Sequence, residues 1–365
     1  MHLQSSSKSK VNIYLDISHP AYAHALMPFM RIMQAKNHRL LISARDKDLT
    51  QSLLKHNGFE YINRGKGRRS LAGKIYDCLV QLKRLYPVIR QFKPDIVVSY
   101  SSYIAALLGK LLGKPVLTFE DTEKVSLLHL CNRALSSYMI TPVCFESDFG
   151  VKHLRFAGYK ELAALHPSSF NVSSAAIPGG QYFVLRFVSW QAWHDRGHRG
   201  VSPEKKKDIV NLLSKHGRVY ISSENPMHEY RTEQQLPVPP ERMHDLIAGA
   251  SLFFGESASM AAEAAVLGVP AIYIDNTGRG YTRELEQKFG LVSNFGEADA
   301  EVSKAIQKAE MLITRPGLKQ EMMKKRQIML DEKIDVTAFM VWFVENYPES
   351  VKIMKENPGY QERFR

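Results

Sequence analysis

The sequence predicts an α/β protein made of two doubly wound, Rossmann-like halves, and three observations carry that prediction. Short β-branched runs alternate with segments of helical periodicity along most of the chain. A stretch rich in Ser, Pro and Gly without periodicity, PSSFNVSSAAIPGGQ at 167–181, divides the alternation into two series. The length of 365 residues exceeds what one hydrophobic core usually serves.

In the first series, strands are expected at 11–17 (VNIYLDI), 39–44, 59–62, 95–100, 115–120 and 136–141, with helices between most of them. The second series places strands at 182–187, 218–223, 251–255 and 270–275, and the tail from about 299 reads as mostly helical. The resulting layout is a disordered leader at 1–10, an N-terminal Rossmann-like domain at 11–166, a linker at 167–181, a C-terminal Rossmann-like domain at 182–345 and a helical tail at 346–365. Such sheets bind ligands beyond the carboxyl ends of their strands, so the expected arrangement is two domains facing each other across a cleft that holds the chemistry.

A formal charge of +12 and a pI near 9.4 call for an anionic partner: nucleic acid, a lipid surface or a phosphorylated substrate. No RRM, helix-turn-helix or zinc-finger signature supports nucleic acid. Basic residues crowd one stretch, Arg64 to Lys93, interleaved with Leu71, Ile75, Leu79, Leu82, Tyr86 and Ile89. That is a basic amphipathic helix of the kind that lies on anionic membranes; a solvated helix docked on its own sheet gives the same pattern. There is no charge-poor apolar run of about eighteen residues, and the start MHLQSSSKSK lacks the apolar core of a signal peptide. Cys78, Cys131 and Cys144 are scattered, without CxxC, as expected of reduced thiols. These features place the chain in the cytoplasm, with a peripheral position on the inner face of the membrane.

Polar clusters fall at the strand ends. DISHPAYAH carries Asp16, Ser18, His19 and His24; EDTEK carries Glu120, Asp121 and Glu123. RFVSWQAWHDRGHRG supplies Arg186, Trp190, Trp193, His194, Asp195, Arg196 and His198, and DNTGRGYTRE supplies Arg279 and Gly280. The most informative stretch is GESASMAAEAAVLGVP, 255–270. Gly255 ends a strand and Ser257 sits where a helix N-cap belongs. The small side chains of Ala258, Ser259 and Ala261 leave a bare helix start open to a phosphate. By spacing, Glu256, Ser259 and Glu263 share one face, with Met260, Ala264 and Leu267 on an apolar stripe behind. Glu263 lies about 9 Å along the axis from Ser257, a reach that suits the ribose of a nucleotide whose diphosphate meets the helix end. A small-residue helix packed tightly on a sheet has the same spacing. GxGxxG, GxxxxGK[ST] and GxSxG are all absent.

From DISHPA (16–21) through ARDKD (44–48), KPDIVVSY (93–100), FEDTE (119–123), GYKELAALHP (158–167), LRFVSWQAWHD (185–195), VYISSE (219–224), GESASMAAEAAVLGVPAIY (255–273) and GRGYTRELEQKFGL (278–291), the chain resembles the bacterial and archaeal family catalogued as domain of unknown function 354. More broadly it is similar to the GT-B superfamily, which includes the lipid-linked N-acetylglucosaminyltransferase of peptidoglycan synthesis and the non-hydrolysing UDP-N-acetylglucosamine 2-epimerase. The resemblance implies that Ser257, Ala258 and Ser259 face the phosphates and that Glu263 faces the ribose; Gly255, Glu256, Arg186, Arg279 and Gly280 are the further residues expected to bind the donor. The epimerase pattern is broken here: LHLCNR (128–133) keeps Asn132 and Arg133 but has His129 and Leu130 in place of paired glutamates, and Phe187 follows Arg186. Epimerisation needs groups to remove and return a carbon-bound proton.

The function so implied is a nucleotide-sugar-dependent glycosyltransferase of cell-surface polysaccharide or glycolipid assembly, with a donor that is UDP-linked and an acceptor that is lipid-linked or a glycan. A non-catalytic sugar-nucleotide-binding protein and a UDP-sugar 2-epimerase are the alternatives. No further cofactor is expected. Asp46-Lys47-Asp48 matches the DxD by which one glycosyltransferase class holds a metal, but Asp48 before LTQSLLKH reads as a helix N-cap, and Arg186, Arg279 and the helix end can offset the leaving-group charge without metal. The base that deprotonates the acceptor is sought on the first-domain side among His19, Asp121, Asp16 and Glu123. His19 ranks first because its reference pKa, about 6.5, is nearest neutrality and Pro20 behind it starts a helix. Asp121 ranks second, as base or as the group orienting that histidine.

Overall fold

The computed structural model describes residues 10–47, 49–68, 70–123, 126–173, 177–188, 199–223 and 236–365. The chain divides into two compact units: Met1–Val143, Ser147–Ala164 and Ile334–Arg365 form the first, Cys144–Glu146 and Leu165–Lys333 the second.

In the first unit, strands β1 (Asn12–Ile17), β2 (Arg39–Ala44), β3 (Ile62–Asn63), β4 (Ile96–Tyr100), β5 (Val116–Phe119), β6 (Tyr138–Pro142) and β7 (His153–Phe156) form one parallel sheet in the order β3-β2-β1-β4-β5-β6-β7. The strand order reverses direction between β1 and β4. Both strands there are buried almost end to end, which is why they read as continuous apolar runs. Helices α1 (Pro20–Ala35), α2 (Thr50–His56), α3 (Leu71–Phe92), α4 (Tyr103–Leu111), α5 (Ser126–Leu135) and α6 (Lys160–Leu165) follow the strands. The inner face of α3, with Leu85 and Ile89, packs with Tyr14, Val97 and Ile104 in one cluster.

The second unit holds β8 (Tyr182–Phe187), β9 (Arg218–Ser223), β10 (Leu252–Gly255), β11 (Ala271–Ile274) and β12 (Val292–Phe295) in a parallel sheet ordered β12-β11-β10-β8-β9. Its helices are α7 (Pro203–Ser214), α8 (Met243–Gly249), α9 (Ala258–Val266), α10 (Gly280–Gln287), α11 (Asp299–Ile313) and α12 (Leu318–Glu332). Phe183, Leu185, Phe254 and Ile272 from the sheet meet Ile209, Leu213, Val302 and Ala305 from α7 and α11 in its core.

Three expectations are corrected. The strand expected at 59–62 is reduced to Ile62–Asn63, and β7 and β12 were not foreseen. Both are four-residue edge strands, too short to show a period. The boundary expected at 345 falls at 333: α13 (Val336–Glu345) and α14 (Glu349–Glu356) belong to the first unit. Helix α13, VTAFMVWFVE, is apolar nearly all round and must be buried. The first unit accepts it through Phe339 stacked on Phe156 at 6.1 Å, the Thr337 hydroxyl donating to Ala163 O at 2.7 Å, and Lys36 paired with Glu345 at 2.9 Å. The expected linker is in part packed on the second unit, where Ser173 N–H donates to Asp245 Oδ1 at 2.7 Å.

Candidate functional site

In a doubly wound sheet, diverging connections leave a crevice at the carboxyl end of the two strands where the order reverses. In the second unit these are β8 and β10, which pair in parallel with Gly255 opposite Arg186. Gly255 is required by that approach, because a Cβ on it would lie 2.3 Å from Arg186 O. Beyond it the expected cap forms: Ser257 is extended, and its hydroxyl accepts Met260 N–H at 3.4 Å. Ser257, Ala258, Ser259 and Met260 are half-exposed, whereas every residue from Ala261 to Leu267 is buried. Helix α9 is therefore enclosed along its length and reaches solvent at its positive end, where an anion gains from both dipole and amides. Arg186, opposite Gly255 on β8, donates from its guanidinium to Ser222 Oγ of β9 at 2.8 Å.

The two glutamates of the stretch do not share an exposed face. Glu256 precedes the cap and is 3% exposed, with its carboxylate accepting the N–H groups of Val188 and Val201 at 2.8 and 2.6 Å. Glu263 is buried on α9, 3.4 Å from His244 Nε2 of α8. Helical spacing gave their positions on a wheel; the neighbouring α8 and the segment after β8 decided what they meet. Arg279, at the N-cap of α10, bonds Thr277 Oγ1 and Gly278 O at 2.7 and 2.6 Å and lies 3.4 Å from Asp275 Oδ2, while Gly280 begins the helix, buried. Burial alone would raise the Asp275 pKa, but the Tyr273 hydroxyl, Thr277 and Arg279 outweigh it and hold this carboxyl low. Asp275 thus fixes the arginine as a charged group at the strand end.

In the first unit the order reverses between β1 and β4, and their ends carry Asp16, His19, Ser101 and Ser102. Asp16 is wholly buried: the hydroxyls of Ser43, at 2.5 Å, and Ser102 donate to it, and Arg64 Nε lies 3.1 Å away. Both of its oxygens are engaged by these buried groups. His19 caps α1 by accepting Ala21 N–H on Nδ1 at 3.2 Å. That bond uses the Nδ1 lone pair, so the neutral ring carries its proton on Nε2 and presents a donor there.

Two strands along, Glu120 is buried at the end of β5, accepting from Ser101 Oγ at 2.6 Å and lying 3.6 Å from His129 Nε2. Desolvation, helped by the charge of Asp121 and opposed by the Ser101 hydroxyl and the N–H groups of Thr122 and Asp121, pushes its pKa up to about 8. Asp121, also buried, bonds Lys160 Nζ at 2.5 Å, and Lys160 lies 3.2 Å from Glu161. Lys160 also stands 5.6 Å over the ring of Tyr22, which stacks on Tyr100. Glu123 is half-buried in the turn that follows. Lys160, Glu161, His129 and His244 were missed as site neighbours. GYKE, 158–161, is the one sequence signal for the first two, as charges on either side of a helix start.

Trp190, Trp193, His194, Asp195, Arg196, His198 and Asp48 lie outside the described residues. Among the described residues no cluster of His, Cys, Asp and Glu is arranged to hold a metal, and no helix is long and apolar enough to cross a membrane. Among the described residues, Cys78, Cys131 and Cys144 form no disulfide.

No family model matches the chain. A UDP-N-acetylglucosamine–N-acetylmuramyl-(pentapeptide) pyrophosphoryl-undecaprenol N-acetylglucosamine transferase from Thermoanaerobacter sp. (strain X514) is 22% identical over 334 residues, covering 80% of this chain and 87% of that protein. Its counterpart from Caldanaerobacter subterraneus subsp. tengcongensis is 22% identical over 327 residues, with the same coverage. Among solved structures, a spinosyn rhamnosyltransferase complexed with thymidine diphosphate matches with a TM-score of 0.63 at 15% identity, over 91% of this chain and 100% of that one. The UDP-GlcNAc 2-epimerase from Neisseria meningitidis bound to UDP-GlcNAc matches with a TM-score of 0.62 at 13% identity, over 88% and 98%. The two parallel sheets, with these likenesses, show the GT-B fold.

Proposed function

We propose that the chain is a GT-B glycosyltransferase that moves a sugar from a UDP-linked donor to a lipid-linked or glycan acceptor in cell-surface polysaccharide or glycolipid assembly. The observation that carries this is the switch point of the second sheet, where the half-exposed start of an otherwise buried helix follows β10 and Arg186 lies on the adjacent strand opposite Gly255. A nucleoside diphosphate is the ligand such a junction suits: its phosphates take the first-turn amides of α9 and Arg186, with Glu263, within reach along the helix, accepting ribose hydroxyls. The similar transferases support the same reading, the similar epimerase supports a nucleotide-sugar ligand, and the sequence motifs quoted above are the ground for proposing kinship with the domain of unknown function 354 family.

In the reaction the bond from the anomeric carbon to the β-phosphate oxygen breaks, a bond to the acceptor oxygen forms, and the acceptor proton passes to a base. Arg186, Arg279 and the α9 dipole offset the charge growing on the departing diphosphate, and no metal is required for that. With the Nδ1 lone pair of His19 committed to its cap, we assign the base to Asp121, oriented by Lys160, and give His19 the role of an Nε2–H donor to the acceptor.

The outer face of α3 supports a position on an anionic membrane surface. Ile75, Tyr76, Leu79 and Val80 are 58%, 55%, 62% and 46% exposed, beside exposed Lys74, Lys83 and Arg84. Apolar side chains flanked by lysine and arginine are what an interfacial helix presents to acidic lipid.

The test is a thermal-shift panel of UDP-, GDP-, dTDP- and CMP-sugars, followed by nucleotide release with and without lipid-linked acceptors. A UDP-sugar should raise the melting temperature by linkage, and UDP should appear only when an acceptor is present. Binding without release in any acceptor mixture would make the chain a non-catalytic sugar-nucleotide binder, and no binding by any member would overturn the reading.

A further inference from the structure

Glu256 belongs to the most chemically suggestive stretch of the chain, yet its carboxylate faces away from any ligand. Oε2 accepts the N–H of Val188, one residue past β8, and Oε1 accepts the N–H of Val201, two residues before α7. One side chain therefore joins both roots of the connection between β8 and α7, and its own N–H donates to Arg186 O at 2.9 Å. A second buried acid, Glu297, accepts Arg199 and Gly200 N–H at 2.8 and 3.1 Å on Oε2, and its own N–H is bonded to Asn276 Oδ1. Four backbone amides that no strand or helix could satisfy are thus taken by two carboxylates, and each carboxylate stands on a residue just beyond a strand end.

A buried negative charge next to a phosphate site costs affinity by repulsion, so its presence there calls for a reason. We propose that Glu256 is a positioning residue: by tying the end of β8 to the residue before the α9 cap, it holds Arg186 and the first turn of α9 in one fixed anion cradle, with Glu297 fixing the far root. The inference rests on the glycosyltransferase reading only for the identity of the anion. Its geometry follows from direct bonds. Arg186 is two residues from Val188, and Ser257 is the next residue after Glu256, so the carboxylate adds a second tie to the backbone bond from Glu256 N–H to Arg186 O.

The test compares the wild type with Glu256→Gln and Glu297→Gln. Glutamine keeps the shape and one accepting oxygen, but sets an N–H₂ against a backbone N–H. Affinities for UDP, uridine and inorganic diphosphate are measured by calorimetry or ligand-detected NMR, and the rate of trypsin cleavage after Arg199 reports whether the root has opened. For Glu256→Gln we expect about a tenfold or greater loss for UDP and for diphosphate, the size of losing one charged hydrogen bond, with uridine unchanged and cleavage accelerated. Glu297→Gln should accelerate cleavage with a smaller effect on diphosphate. Faster cleavage with unchanged diphosphate affinity would reduce Glu256 to a structural tie and overturn the proposal, as would equal losses for uridine and UDP. A wild type that holds diphosphate but not UDP refutes the nucleotide reading alone, since the Glu256 comparison is then read on diphosphate. A wild type that holds neither refutes both.

Discussion

Replacing Glu120 by glutamine should make the protein more resistant to unfolding at alkaline pH, by an amount that can be worked from its surroundings. The side chain is enclosed at the end of β5, and desolvation, with the neighbouring charge of Asp121, lifts its pKa from 4.5 to about 8. The folded protein therefore keeps this proton through a range in which the unfolded chain releases it. Its contribution to stability is complete below about pH 4.5, declines by about 1.4 kcal/mol per pH unit as the pH rises, and levels off above about pH 8, a total of about 4–5 kcal/mol. Glutamine reproduces the neutral acid: its oxygen can accept the N–H groups of Asp121 and Thr122, its amide can donate to Ser101 Oγ, and it does not titrate. The assay is urea unfolding of wild type and Glu120→Gln at intervals from pH 5 to 9. Contributions common to both proteins cancel in the difference. His129, lowered by its own burial, is neutral over most of this range and leaves the sign intact. A difference that stays constant with pH would show that Glu120 is ionised in the fold, and would remove the neutral acid from the edge of the first sheet.

Lys160→Met should be among the most damaging single changes in the first unit, because it leaves Asp121 and Glu161 buried without their cation; a loss of about 3–5 kcal/mol by denaturant titration is expected, and a loss below about 1 kcal/mol would mean water already reaches the pair. Glu263→Ala should weaken UDP and uridine together while sparing inorganic diphosphate, since it removes the ribose acceptor; equal affinity for UDP in variant and wild type would move the ribose elsewhere. Activity should survive EDTA, and complete loss restored by Mn²⁺ would bring Asp46 and its neighbours back as a metal motif. Leu79→Asp and Lys83→Glu should each reduce sedimentation with vesicles containing acidic phospholipid, and high salt should do the same for the wild type. Binding to neutral vesicles equal to that seen with acidic ones would make the outer face of α3 an ordinary solvated surface. Asp121→Asn should abolish turnover while sparing donor affinity, and His19→Ala should lower turnover more mildly; the reverse order would return the base to His19.

The fold was readable where one strand or helix declares itself through its own residues. VNIYLDI and IVVSY are continuous apolar runs because both faces of a central parallel strand are covered, and Ser257 was set at its helix start by cap chemistry alone. The edge strands HLRF and VSNF carry no such mark, because one exposed side and four residues leave no period to detect. The final helices were assigned to the wrong unit for a different reason. Apolar periodicity says that α13 must be covered, but says nothing about which surface covers it, and that surface, Phe156 and Ala163, lies far back in the chain.

The same distinction governs the candidate site. Strand-end clusters were legible because a doubly wound sheet gathers its carboxyl ends on one edge, whatever the side chains there do. Which of them face a substrate was not legible, since a carboxylate at a strand end can turn outward or be consumed by partners that no local window contains. Asp16 is the plainest case: Ser102, which closes its second oxygen, is 86 residues away, and Ser43, which holds the first, is 27. Glu256 is taken by amides 68 and 55 residues distant. Asp121 differs from both in its partner: the ammonium of Lys160 bonds it at 2.5 Å, where Asp16 is closed by two hydroxyls with Arg64 Nε at 3.1 Å, and Glu256 by backbone N–H groups. A lysine ammonium can give up a proton where the guanidinium beside Asp16 cannot, and that is the physical ground for assigning Asp121 the base.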